Sequence, residues 1–244
     1  MEFTDDGVIL HVRPHGETHA VATVFTEHQG RWAGLVYGGQ GRRKGSVLQP
    51  GNTVRAVWKG RNEDSLGAFS LELTDARAGF AMQDRLALAA LTAICALALD
   101  TLPEREPLPG CYRALDVVLA AIDDPDLWPA LMARFELGLL AALGFGLTLD
   151  RCAATGARED LIYMSPRSAA AVSASAGEPY KDKLLPLPAF LRGVSSEADF
   201  NAAADALTTT GYFIESRILH AVGKELPEAR RNIERLLRAR ADAA

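Results

Sequence analysis

A chain of 244 residues with 48% hydrophobic side chains can bury at least one sizeable core, as one large domain or two small ones, which excludes a mostly disordered protein. Its longest nearly continuous apolar run, residues 86–99, is shorter than the roughly 20 residues of a membrane-spanning helix and reads as a buried core helix. The formal net charge of -5 argues against phosphate binding when averaged over the chain, yet residues 31–61 carry Arg31, Arg42, Arg43, Lys44, Arg55, Lys59 and Arg61 with no Asp or Glu, a local +7.

The opening MEFTDD is acidic and lacks the basic and apolar regions of a secretory signal, so a cytoplasmic protein is expected. Residues 7–12, 20–25, 32–37, 53–58 and 68–73 alternate apolar and polar side chains and are separated by turn-rich pieces. Five strands at this spacing predict a small antiparallel barrel of the OB-fold type over residues 1–78. After Asp75 the composition changes to Ala and Leu at a helical period, which predicts a mainly α-helical domain over residues 79–244 and an α+β chain overall. Helices are expected at 82–102, 111–122, 127–143 closed by Gly144, 197–209, 211–222 closed by Gly223, and 228–241 after Pro227. Between them, residues 150–188 are rich in Gly and Pro and read as an irregular insertion with one good strand candidate, 161–164.

The loop GGQGRRKGS (38–46) combines mobile backbone and three consecutive cations with Trp32, Tyr37 and Trp58 nearby in sequence. Cations neutralise phosphates and release counterions, and aromatic faces stack on bases, so this mixture suits single-stranded nucleic acid. The expected nucleic-acid contacts are the seven basic residues above with Trp32 and Tyr37; the bland alternative is a solvated loop with the aromatics in a barrel core. The loop lacks the Walker spacing, which excludes an ATP-type phosphate loop. His11, His15, His19 and His28 fall on different strands and turns without a metal-binding spacing, and no G-x-S-x-G element or nucleophilic cysteine signature occurs. Neither catalysis nor a cofactor is therefore expected. Cys95 and Cys111 sit in helical, apolar surroundings as small hydrophobes, and three cysteines without short spacings do not make a disulfide framework. Cys152-Ala-Ala-Thr155-Gly156 has the spacing of a zinc knuckle with the second ligand replaced by threonine, and no second ligand pair follows, so no metal is expected.

The order of elements and several motifs resemble the RecO family of bacterial recombination mediators over most of the chain. Gly7-Val-Ile-Leu, Gly16-Glu17, Val24-Phe-Thr-Glu27 and Gly30 look like the family's opening barrel strands, and GRRKGS (41–46) is similar to its cationic loop. The most specific match is RFELGLLAALG (134–144) followed by Cys152-x-x-Thr-Gly156 and Leu161-Ile-Tyr163. The chain departs in keeping a single knuckle cysteine, like a metal-free branch with a degenerate knuckle, and in its glycine-rich 38–41. The resemblance implies binding of single- and double-stranded DNA, annealing of complementary strands, and loading of RecA onto strands coated by single-strand-binding protein, with RecR and RecF as partners and a nucleoid-associated location. It also implies docking of the acidic C-terminal tail of single-strand-binding protein on the helical domain, for which Arg134 beside Phe135 is the candidate cation and apolar contact. The last helix, with Arg230, Arg231, Arg235, Arg238 and Arg240, offers a second cationic face, or a solvated face balanced by Glu228 and Glu234. The competing readings are a general OB-type module for RNA or protein, and a hydrolase or transferase with a site around residues 158–163.

Overall fold

The computed structural model describes residues 1–194 and 198–243, and the chain forms two compact units, Met1–Asp123 and Asp124–Ala244. In the first unit β1 (Glu2–His15), β2 (His19–Thr26), β3 (Gly30–Val36), β4 (Thr53–Lys59) and β5 (Ala68–Asp75) close a barrel in the order β1-β2-β3-β5-β4. This is the expected five-stranded OB-type barrel. The one-turn helix α1 (Arg42–Gly45) interrupts the β3–β4 connection.

The barrel closes because β1 is long enough to pair with β4 through residues 2–8 and with β2 through residues 7–15. Side chains on a strand alternate between faces, so one strand can serve two neighbours while keeping Phe3 and Ile9 in the barrel core. Between Ile9 and His11 the register slips, leaving Leu10 as an extra residue. Such a bulge inverts the alternation: before it the odd positions point inward, and after it Val12 does. His11, Arg13 and His15 are thereby turned to the outer face. Leu10 itself is buried outside the barrel in a pocket shared with Leu91, Cys95 and Leu99.

Those three residues belong to α3 (Arg85–Thr101), which follows the short α2 (Arg77–Ala81) and packs on β1. Asp84 caps α3, its carboxylate accepting from the N–H groups of Leu86 and Ala87 at 2.8 Å each. The stripe Ala87, Ala90, Leu91, Ile94, Cys95 and Ala98 is buried, as the apolar run foretold. Next, α4 (Pro109–Ala120) sets Tyr112 edge-on against Phe25 of β2, with ring centroids 5.9 Å apart. The strand-to-helix change thus falls at Asp75, as read from composition, whereas the compact unit extends to Asp123 and includes α2, α3 and α4.

In the second unit, α5 (Trp128–Ala142) precedes a small antiparallel sheet of order β7-β6-β8, built from β6 (Leu161–Ser165), β7 (Ala170–Ser173) and β8 (Leu185–Pro186). The stretch expected to be irregular therefore holds three strands. Two were hidden, β7 because Ala170-Ala171 reads as helical and β8 because it is two residues long. A turn of helix, α6 (Ala174–Gly177), follows β7. Arg192 fastens this module by donating to the carbonyls of Leu149, Arg158 and Leu161. Cys152 is buried, and its Sγ accepts from the N–H of Ser173 at 3.4 Å and from Ser173 Oγ at 3.6 Å. Burial pushes this thiol up, but these donors together with Thr155 and the Ala154 amide bring it down to about 6. Among the described residues no cluster of three or more His, Cys, Asp or Glu is placed to hold a metal ion.

The unit closes with α7 (Phe200–Ile214) and α8 (Glu228–Ala241), α7 packing against both α5 and α8. The helix expected at 197–209 begins at Phe200, and Glu197 lies outside the described residues. The break expected before Gly211 does not occur. Gly211 is a seat rather than a stop: a Cβ there would stand 3.3 Å from Nη2 of Arg230. Arg230 and Glu136 are both fully buried, and Arg230 donates from Nε and Nη2 to the two Glu136 oxygens, from Nη1 to Glu234 at 3.0 Å and from Nη2 to the Leu207 carbonyl at 2.8 Å. Thr210 Oγ1 adds a bond to Glu136, so the pair ties α5, α7 and α8 together.

Removing one partner of such a pair leaves a buried charge uncompensated. Arg230→Met alone should cost about 3–5 kcal/mol in urea unfolding, and the double change Arg230→Met/Glu136→Leu should recover most of it. At the β2–β3 turn, Asp5 accepts from the His28 N–H at 2.7 Å and from its Nδ1 at 3.0 Å, and this raises the imidazole above its ordinary 6.5. A raised folded pKa contributes stability that is present at acid pH and lost as pH rises through it. The melting-temperature difference between wild type and His28→Asn should accordingly shrink between about pH 5 and about pH 8.

Candidate nucleic-acid interface

The cationic loop is held against the β1–β2 turn by a small set of polar contacts. His15 of β1 lies opposite His19 of β2. Gln40 Nε2 donates to the carbonyls of Gly16 and His19 at 2.9 Å each, and the Gln40 N–H donates to Thr18 O at 3.1 Å. The Gly38 N–H donates to His19 Nδ1 at 3.1 Å, which puts the proton of the neutral ring on Nε2. The same imidazole stands edge-on to Tyr37, with centroids 5.3 Å apart. Lys44 Nζ reaches back to the Tyr37 carbonyl at 2.7 Å and braces α1, which has no side-chain cap of its own.

Arg42 and Arg43 stay exposed, and neither makes an ion pair or side-chain hydrogen bond among the described residues. Tyr37 is 60% exposed beside them. Arg13 is also exposed and unpaired among the described residues, two residues from His15 on the same face of β1. The turn contributes one carboxylate, Glu17, which is exposed as well. The loop thus carries two free guanidinium groups and one exposed phenol ring on a braced backbone, and Arg13 adds a third free guanidinium on the outer face of β1. Such a surface neutralises phosphates and stacks bases without selecting a sequence.

The other expected contacts are divided by their environment. Arg31 is mostly covered, donates to the Leu102 carbonyl at 2.8 Å and pairs with Glu104 at 3.4 Å; its burial lowers its pKa. Arg55 pairs with Asp6 and Lys59 with Glu2, each at 3.0 Å, so β1 supplies the acids that neutralise β4. Arg61 is exposed in the β4–β5 loop. Trp32 points inward with Phe3 and the fully buried Trp58, is 5% exposed, and donates from Nε1 to the Gln29 carbonyl. It offers no open face as the barrel stands, because an even position on β3 faces the core and the Arg105 guanidinium lies over the ring at 5.4 Å from its centroid.

In the second unit Arg134 donates to the Phe190 carbonyl at 3.2 Å, with its guanidinium 6.0 Å from the Phe190 ring centroid. Phe135, read as the partnering apolar contact, is 1% exposed and lies in the core. Consecutive helical residues point about 100° apart, so the two cannot share one surface. Phe190 lies against the Arg134 guanidinium but is itself only 2% exposed, and it lines an open pocket of about 490 Å³ with Ile162, Pro188, Asp199 and Asp205. Arg230 is likewise corrected from surface to core. On α8, Arg231 pairs with Glu225 and Arg238 with Asp205, leaving Arg235 and Arg240 exposed.

Arg13, His15, His19 and Gln40 were not anticipated as parts of the site. The alternation of His11, Arg13 and His15 was the available signal, but the bulge at Leu10 that turns them outward has no mark in the sequence.

Comparison with known proteins agrees with this architecture. The family model described as Recombination protein O N terminal matches residues 1–77, and that described as Recombination protein O C terminal matches residues 82–226. The DNA repair protein RecO of Methylorubrum extorquens (strain PA1) is 46% identical over 236 residues, covering 94% of this chain and 96% of that protein. That of Methylobacterium nodulans is 48% identical over 237 residues, covering 94% and 95%, and that of Rhodospirillum rubrum 44% over 245 residues, covering 98% and 97%. With both halves matched and identity sustained along nearly the whole length, the chain belongs to the RecO family of DNA repair and recombination proteins.

Proposed function

We propose that this chain is a recombination mediator that binds single- and double-stranded DNA through the patch formed by Arg13, Tyr37, Arg42 and Arg43. It anneals complementary strands and helps RecA load onto DNA coated by single-strand-binding protein, with RecR and RecF as partners, in the nucleoid of the cytoplasm. It does so without catalysing bond chemistry, since base pairing drives annealing and the protein has only to neutralise phosphate repulsion and bring strands together. The observation that carries this reading is the sorting of the cations. Arg31, Arg55 and Lys59 are paired with carboxylates, whereas Arg13, Arg42 and Arg43 are left for a partner.

Each cation that neutralises a phosphate of a single strand contributes about 0.7 to the slope of log affinity against log salt. Arg42→Ala/Arg43→Ala should therefore bind oligothymidine with a slope shallower by about 1.4 and anneal complementary oligonucleotides more slowly, read by fluorescence anisotropy and quenching. No binding by wild type at low salt would remove the DNA reading.

The acidic tail of single-strand-binding protein docks on the second unit at the exposed Arg134. A hydrogen bond between charged groups contributes about 1.5–3 kcal/mol, so Arg134→Ala should weaken a tail peptide by roughly ten-fold or more in titration calorimetry. An unchanged affinity would move the tail elsewhere.

A further inference from the structure

The connection between α3 and α4 folds back onto β3. Glu104 bridges to Arg31, and the Arg105 N–H donates to the Arg31 carbonyl at 3.0 Å. The approach is tight enough that a Cβ on Gly30 would stand 2.3 Å from the Glu106 carbonyl oxygen. Arg105 has a φ of 60°, a left-handed conformation that non-glycine residues adopt at a cost and keep only where their surroundings over-determine it. Three contacts do so here: the bond to Arg31 O, an ion pair of Arg105 Nη1 with Asp64 at 3.0 Å, and the guanidinium lying 5.4 Å from the centroid of the Trp32 ring.

Around these groups lies a pocket of about 270 Å³ lined by Arg31, Trp32, Asp64, Leu66, Glu104 and Arg105. That is just under the roughly 300 Å³ at which sites for drug-sized ligands begin, and it suits one planar ring. A cation over an aromatic face occupies the place in which a base would stack. The two cations and two carboxylates cancel while the pocket is shut, so it has no net attraction for phosphate. If a base displaces Arg105 from Trp32, the freed guanidinium can pair with the phosphate of the same strand, and the strained φ can relax.

We propose that this pocket takes one unpaired nucleobase, stacked on Trp32, with Arg105 as its displaceable cover and Asp64 as the latch. The proposal rests on the DNA reading above and gives it a preference: a base within a duplex must leave its stack to enter, whereas a base of a single strand is already free.

The test uses the full-length protein with oligothymidine and with a duplex of equal length. Arg105→Gly removes cover and strain together, because glycine adopts this φ freely. It should increase quenching of tryptophan fluorescence by oligothymidine, and that quenching should vanish in Trp32→Phe, which keeps Trp58 and Trp128. Asp64→Asn releases the latch, an exposed ion pair, and should tighten oligothymidine by up to about five-fold while leaving the duplex unchanged. The proposal is overturned if quenching is the same in Arg105→Gly as in wild type, or if Asp64→Asn shifts both DNA forms equally. In that event salt-dependent binding through Arg42 and Arg43 persists and the loop reading stands; if wild type binds no oligothymidine at all, both fall together.

Discussion

The double pairing of β1 is the constraint on which the first unit depends. A five-stranded sheet closes only if every strand hydrogen-bonds on both edges, and β1 does so by running for 14 residues with β4 along its first half and β2 along its second. A straight strand of that length would carry its inward face away from the barrel. The bulge at Leu10 resolves this by bending the strand and inverting its alternation. It also gives α3 an apolar side chain to pack against and turns Arg13 and His15 outward beside the cationic loop. The contact of β1 with α3 and the outward turn of Arg13 and His15 thus follow from one inserted residue.

In the second unit the equivalent constraint is electrostatic. Glu136, Arg230 and Thr210 come from three helices and meet out of water, where each polar group must find a partner. Apolar side chains of similar volume could hold three helices at least as firmly, so stability alone does not account for the arrangement. A bidentate pair admits few geometries, and Gly211 is fitted to the guanidinium by the absence of a side chain. The pair fixes the register of α8 against α5 and α7.

What the sequence disclosed, and what it concealed, follows from the range of the interactions involved. The five strands, the strand-to-helix change at Asp75 and the α3 stripe were legible, because alternation and helical period are local. Arg42 and Arg43 were legible too, since a run of cations without acids needs no fold to be seen. Arg55 and Lys59 look equally free in the sequence, and only the β1–β4 register, which sets Asp6 against Arg55 and Glu2 against Lys59, shows them paired. Arg230 reads like one more arginine of a solvated helix, because Glu136, its partner, stands 94 residues away. Phe135 beside Arg134 illustrates the opposite error, since adjacent residues of a helix are not neighbours on its surface.

These pairings also explain how a chain of net charge -5 serves a polyanion. Repulsion between two net negative bodies acts over a Debye length of about 8 Å at physiological ionic strength, so a bound strand responds to the charges nearest it and little to the molecule's total. What matters is that acids are placed against the cations of β4, where they neutralise structural charge, while the loop of β3 and α1 carries no carboxylate. The annealing proposed above fits the same arrangement. A uniformly basic protein would hold each strand along its length and resist their pairing, whereas a few guanidinium groups on a small patch screen phosphates locally and leave the bases free to find their complements.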